Sequence, residues 1–311
     1  MAYFSYNKMK KSTVNYSDST HLENITEFKR SINADIWLLV VCVIWGLSFP
    51  LVKTALNDIS PLLFLSIRFW LGALVLLPFV RGIKHQMNLD RLLRGGLIGL
   101  FMFLGMLFQT FGLKYTTASN SGFITGMAVV MVPVLVVLIE RRRPKWPVLL
   151  GVVFAVAGLY FLTQPQTKGV NKGDLLTLAC AFSFSFEIVF IELLVKKNEE
   201  FFIALAMIVA TALLATFSSL VFEEQFIRFT RSMVAGLGFV AVFCTALGFT
   251  LQTYWQPKTS ATAASVIYTS EPVFAAIFAA VILHERFDKM GYLGAGLIIA
   301  GMLITELRRK F

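Results

Sequence analysis

Leu251-Gln252-Thr253-Tyr254 repeats, 143 positions downstream, the earlier Phe108-Gln109-Thr110-Phe111. This echo constrains the fold more than any other feature, because it reads as one membrane unit written twice. Apolar runs long enough for a spanning helix, ~20 residues, fall at 36–55, 60–80, 92–113, 118–139 and 147–164. They recur at 174–195, 201–222, 233–256, 261–283 and 289–306. Five spans per copy is an odd number, so the second copy enters the bilayer upside down. In lipid the backbone must satisfy its own hydrogen bonds, which makes each run a helix. The expected fold is therefore an all-α integral membrane protein: ten transmembrane helices as two inverted five-helix repeats. A disordered cytoplasmic tail is expected over 1–35, a first repeat over 36–164 and a second over 174–307.

Further matches support the duplication. Gly151 and Gly158 correspond to Gly294 and Gly301 at the same 143-residue offset, and Asp35 to Asp174 at 139. Pro133 and Pro272 are also 139 apart; a slip of one helical turn keeps a residue on roughly the same face. Of the 311 residues 57% are hydrophobic and 15% charged, against ~25% charged in a soluble domain. The net charge of +10 sits in short clusters between apolar runs, where it reads as topology signal and lipid contact rather than a nucleic-acid surface. With the amino terminus inside, inner segments hold 19 Lys and Arg and outer ends 8, with Arg68 within a span. Both termini are thus expected in the cytoplasm, in a multi-pass protein of the cell membrane. Cys42, Cys180 and Cys244 lie inside apolar runs, and no Cys or His spacing suits a metal. No cofactor is expected. No Gly-rich loop ending in Lys-Ser/Thr occurs, so ATP is not the direct energy source.

The segment 251–287, LQTYWQPKTSATAASVIYTSEPVFAAIFAAVILHERF, resembles EamA-type members of the drug/metabolite transporter superfamily. Trp45-Gly46-Leu47-Ser48-Phe49 and Lys53 are similar to that family's opening, and Arg68 to an arginine its members often carry in helix two. The resemblance covers 35–307 and departs at Glu140-Arg141-Arg142-Arg143-Pro144 and at Glu187. It implies a cavity formed by helices 1, 3, 4, 6, 8 and 9, open to one side at a time, with Gln109 and Gln252 facing it.

Ionisable groups inside a span cost about 2.5–3.5 kcal/mol on insertion scales, so each is a site candidate. Glu271 and Arg68 fall at similar depth, as a static buried pair or as a substrate or proton site. Glu187, among Phe182, Phe184, Phe186 and Phe190, reads either as a proton carrier or as a neutral acid bonded to a facing helix. Gln109 and Gln252 are either solute contacts or interhelical hydrogen bonds. Trp45, Tyr254, Trp255 and Tyr268 are candidate aromatic walls, with Trp255 read as an interface anchor. Asn120, Ser121 and Thr125, and Thr262, Ser265 and Thr269, mark a wet face, and Ser48 joins them. Glu192 is expected to pair with Lys196, one turn away. The glycine pairs read as close helix packing, or as the seam of a homodimer rather than a monomer. The functional expectation is a secondary transporter exporting a small metabolite, an amino acid or related compound, either coupled to protons or as an uncoupled facilitator. An enzyme such as a membrane-embedded transferase would need a clustered nucleophile, base or metal set, which the sequence lacks.

Overall fold

Helices supply the regular structure among the described residues of the computed structural model, which are 16–116, 118–141, 143–163, 171–283 and 289–307. An isolated antiparallel bridge joins Ile59 to Ile227. In chain order the helices are α1 Tyr16–Ala55, α2 Pro61–Leu76 with a 3-10 continuation Leu77–Gln86, α3 Leu89–Tyr115, α4 Ala118–Gly126, α5 Ala128–Glu140 and α6 Trp146–Thr163. The second half holds α7 Lys172–Leu194, α8 Glu200–Phe222, α9 Arg231–Phe239, α10 Phe249–Trp255, α11 Ala261–Tyr268, α12 Glu271–Leu283 and α13 Lys289–Leu307. A π-helix, Val240–Gly248, joins α9 to α10, and a 3-10 turn, Gln256–Lys258, follows α10. Among the described residues, six stretches are long and apolar enough to cross a bilayer: Ile32–Ala55, Pro61–Val80, Leu89–Tyr115, Lys172–Leu194, Glu200–Phe222 and Arg231–Lys258. Shorter apolar helices accompany them. Neither glycine nor proline occurs between Tyr16 and Trp45, so helix α1 runs back to Tyr16 through residues expected as a disordered extension. Residues 1–15 lie outside the described residues.

Helix starts follow local chemistry. Pro61 opens α2, where its missing N–H costs nothing. Asn171 Oδ1 accepts from Asp174 N (3.0 Å) while Asp174 Oδ2 accepts from Asn171 N (3.1 Å), closing a capping box on α7. Thr230 and Ser260 cap α9 and α11 with their hydroxyl oxygens.

The runs expected at 118–139 and 261–283 are each interrupted. Between α4 and α5, Met127 N–H reaches back three residues to Ile124 O (3.1 Å). Between α11 and α12, Ser270 N–H does the same to Ile267 O (2.9 Å). Met127 and Ser270 are 143 residues apart, the offset of the repeat. Pro272 explains the second break, since it has no N–H to donate and its ring excludes the Tyr268 carbonyl. Pro133 lies inside α5 beyond the first break, where Gly126 ends α4.

Packing recurs between the halves. Helix α1 lies against α12 as α7 lies against α4 and α5, and the π-helix lies against α2 as α3 does against α8. Helices α6 and α13 touch backbone to backbone: a Cβ on Gly158 would stand 2.7 Å from Gly294 O, and one on Gly301 2.8 Å from Gly151 O. These glycines permit close helix approach. The contact between Trp45 and Gly248 also has a counterpart. A Cβ on Gly248 would meet Trp45 Nε1 at 2.7 Å, and one on Gly105 would overlap the Phe184 ring. Gly105 and Gly248 are 143 apart, Trp45 and Phe184 139.

The helix ends are tied at two places. Leu62 N–H and Leu63 N–H donate to the two oxygens of Glu223 (3.1 and 3.0 Å), and Thr230 Oγ1 donates to Asp58 Oδ2 (2.7 Å). Elsewhere Arg91 and Arg94 each reach Glu199 at 2.8 Å, and Arg94 donates to Leu194 O. Burial pushes the Glu199 carboxyl up, but the hydrogen bonds and charges of Arg94 and Arg91 outweigh it and hold the group below its ordinary range.

Candidate functional site

A cavity opens between the two helix breaks. Helices α4 and α5 present Gly122, Thr125, Gly126, Ala128 and Val129 to it, and α11 and α12 present Ser265, Tyr268, Thr269, Glu271 and Pro272. Its volume is about 80 Å³ at the centres of water-sized spheres. One water needs about 10–15 Å³ on that measure, so the space admits several waters or a small solute.

The expected site residues meet here from distant parts of the chain. Trp45 and Ser48 of α1, Arg68 of α2, Gln109 of α3, Glu187 of α7, Gln252 of α10, and Tyr268 and Glu271 all line the cavity. Asn120 lies in α4, and its side chain is outside the described residues. Tyr254 and Trp255 are not on the wall. Trp255 stacks on Trp37 (centroids 6.1 Å apart), and Lys258 sits over the Tyr254 ring.

Arg68 and Glu271 share the cavity without direct ion-pair contact. Arg68 Nε donates to Thr245 Oγ1 (2.9 Å), and Nη1 points at Met106 Sδ (3.7 Å). Thr245 belongs to the π-helix and donates its own proton to Val240 O (3.0 Å), five residues back. Wide turns of this kind concentrate at functional sites. The same segment supplies Cys244 O, which accepts from Trp45 Nε1 (3.0 Å). The indole is braced by the Phe249 and Tyr268 rings, with centroids 5.2 and 5.9 Å away.

Other residues of the cavity belong to a hydrogen-bonded chain of side chains. Gln256 Nε2 donates to Ile188 O (2.6 Å), an atom that can only accept, and this fixes the orientation of the Gln256 amide. Gln256 Oε1 then accepts from Tyr268 Oη–H (3.0 Å) and from Gln252 Nε2 (3.2 Å). Gln252 Nε2 also donates to Glu187 Oε2 (3.2 Å). Two acceptors remain buried without a partner, Glu187 Oε1 and Gln252 Oε1.

Sequence reasoning missed two participants and misassigned a contact of a third residue. Gln256 sits one turn beyond Gln252 and so on the same helix face, a visible signal that its place near the end of a run concealed. Thr245 and the π-helix left no sequence trace. Glu192 is a correction: its Oε2 accepts from Ala261 N–H (2.5 Å) at the start of α11, in place of the expected pairing with Lys196. Free N–H groups at a helix start attract a carboxylate more strongly than a solvated lysine does.

The model of the EamA-like transporter family matches this chain twice, over residues 32–164 and 171–307. An uncharacterized transporter of Archaeoglobus fulgidus is 34% identical over 312 aligned residues, covering 95% of this chain and 97% of that protein. A probable amino-acid metabolite efflux pump of Salmonella typhimurium is 28% identical, over 86% of this chain and 92% of its own length. A solved structure superposes with a TM-score of 0.75 at 17% identity, covering 89% of this chain and 98% of that one. That last similarity concerns the fold alone.

Proposed function

We infer that this chain, which belongs to the EamA-like transporter family, exports a small polar metabolite of the amino-acid type across the cell membrane by alternating access. The observation that carries this reading is a cavity bearing Arg68, Glu187, Gln252 and Glu271, set between two helix breaks at equivalent positions of the two halves. Broken helices lining a midplane site are the way secondary transporters hold a polar solute in a bilayer. The reading includes ten crossings as two inverted sets of five, and both termini in the cytoplasm as the Lys and Arg distribution favours. It places the substrate between the Arg68 side and the Glu187–Gln252 side. Export is favoured over uptake by the names of the relatives from Salmonella typhimurium and Escherichia coli, each a probable amino-acid metabolite efflux pump.

Glu187 and Glu271 are the groups on the wall able to carry a proton against the solute, which makes proton coupling the expected energy source. The test is flux of neutral amino acids from proteoliposomes holding the purified protein, with and without an imposed pH gradient. Flux accelerated by the gradient supports the coupled exporter. Gradient-insensitive flux identifies a facilitator. Flux equal to that of protein-free vesicles across the whole panel refutes the assignment.

A further inference from the structure

The cavity is built with an unbalanced set of hydrogen-bonding groups. Glu187 and Gln252 are almost wholly buried, 2% and 1% exposed, and both stand on the wall. Each keeps one oxygen without a donor. The Gln252 amide cannot turn to repair this. Ile188 O fixes Gln256, and Gln256 Oε1 in turn requires the Gln252 nitrogen to face it. The Gln252 oxygen is therefore held away from the network as an acceptor. A buried polar atom left unpaired costs roughly 1–3 kcal/mol, and here two occur on one wall.

We propose that Glu187 Oε1 and Gln252 Oε1 form the docking point for the primary ammonium group of an apolar amine or amino acid. An ammonium carries three donors and no acceptor; two would satisfy these oxygens, and Glu271 lines the same cavity as a further carboxyl group. The rest of the lining suits an apolar tail, with Phe184, Ile188 and Phe249 among its residues. Arg68 lies on the same cavity with two of its N–H groups directed at protein atoms. Since guanidinium has five donors, it has capacity left for a carboxylate. A bare sodium ion fits poorly, because two oxygens fall far short of the six or so that a hard cation of this size gathers. The assignment deepens the transport reading by naming the chemistry of its solute, and it rests on that reading for its biological use.

Binding is measured apart from transport, as the shift in thermal unfolding of the purified full-length protein in detergent. The probes are L-leucine, 3-methylbutan-1-amine, which lacks the carboxylate, and 4-methylpentanoate, which lacks the amine; sodium chloride against choline chloride is a fourth arm. Leucine and the amine should raise the melting temperature in a saturable way, and the acid should not. Glu187→Gln and Gln252→Met should each weaken amine binding by about tenfold or more, the effect of losing a charge-assisted hydrogen bond. Where a variant fails to fold, the comparison of probes on the wild-type protein still decides. Equal shifts by the acid and the amine, no shift by the amine, or a shift by sodium alone would overturn the proposal. Saturable amine binding together with an absence of flux would leave this site standing and refute the transport reading.

Discussion

Gly248 lies against Trp45 at the cavity wall, and replacing it by alanine tests whether that contact sets the wall's shape. The added Cβ would stand 2.7 Å from Trp45 Nε1 and 3.2 Å from Phe243 O. Comfortable contact begins near 3.5 Å, so the indole must retreat by roughly 0.8 Å. Its N–H bond to Cys244 O is 3.0 Å long, and a retreat of that size carries it outside hydrogen-bonding range. Phe249 and Tyr268 brace the ring, so the displacement strains its neighbours. Overpacking of this kind costs about 1–3 kcal/mol, and the lost hydrogen bond adds about 1 kcal/mol. A destabilisation of about 2–4 kcal/mol is expected. Trp45→Leu removes the obstacle, so Gly248→Ala should be close to neutral in that background. The assay is a double-mutant cycle on melting in detergent, with amino-acid flux measured in parallel. A coupling of about 2–4 kcal/mol is expected, the whole cost of Gly248→Ala alone. If Gly248→Ala costs the same with and without the indole, the contact does not govern the wall.

Three further outcomes follow from contacts elsewhere. Gly158→Ala should destabilise by about 1–3 kcal/mol, because its Cβ would meet Gly294 O and Ile298 Cγ1 at 2.7 Å. Gly296→Ala on the partner helix meets nothing within 4 Å and should be neutral or slightly stabilising; equal melting of the two variants would contradict the close-packing account. Glu223→Ala strips two acceptors from the start of α2 and should cost about 0.5–2 kcal/mol, with faster amide exchange at Leu62 and Leu63 as the local signature. Glu199 is held below the ordinary carboxylate range by Arg94 and Arg91, so its ionised form adds stability above that range. This contribution fades as pH falls through the depressed value. Glu199→Gln should therefore melt earlier than wild type at neutral pH and converge with it in acid; a gap constant across pH would refute the ion-pair role.

The sequence made legible those features whose cost in lipid is local. A carboxylate or amide within an apolar run demands a partner or a cavity, which is why Glu187, Glu271, Gln109 and Gln252 stood out, and the structure brings all four to one cavity. The register of the repeat was readable because glycine and glutamine recur at a fixed offset. The break at Met127 was not, since Gly126 is an ordinary residue in a membrane run and Pro133 points to a place farther along. Thr245 was invisible for a different reason: its role depends on Arg68, 177 residues away, and hydropathy carries no information about such proximity. Glu192 was misplaced because a helical neighbour is the default partner in sequence. The N–H groups of another helix became available through tertiary structure alone.

The two halves agree in frame and differ in chemistry, and the difference bears on mechanism. Equivalent positions pair Ser48 with Glu187 and Arg68 with Met207 at an offset of 139, and Leu113 with Gln256, Thr125 with Tyr268 and Ala128 with Glu271 at 143. The close glycine contacts that shape the backbone, at Gly105 and Gly248, are kept in both halves. Strict symmetry in the side chains would offer a small asymmetric solute two equivalent poses, and half of its encounters would set its charged group against an apolar wall. Concentrating acceptors on the second half and the guanidinium on the first removes one of those poses. Backbone symmetry meanwhile keeps the two breaks at equivalent positions of the two halves. On the proposed transport reading, duplication would supply the exchange of access, while divergence at five equivalent positions would supply the orientation of what is carried.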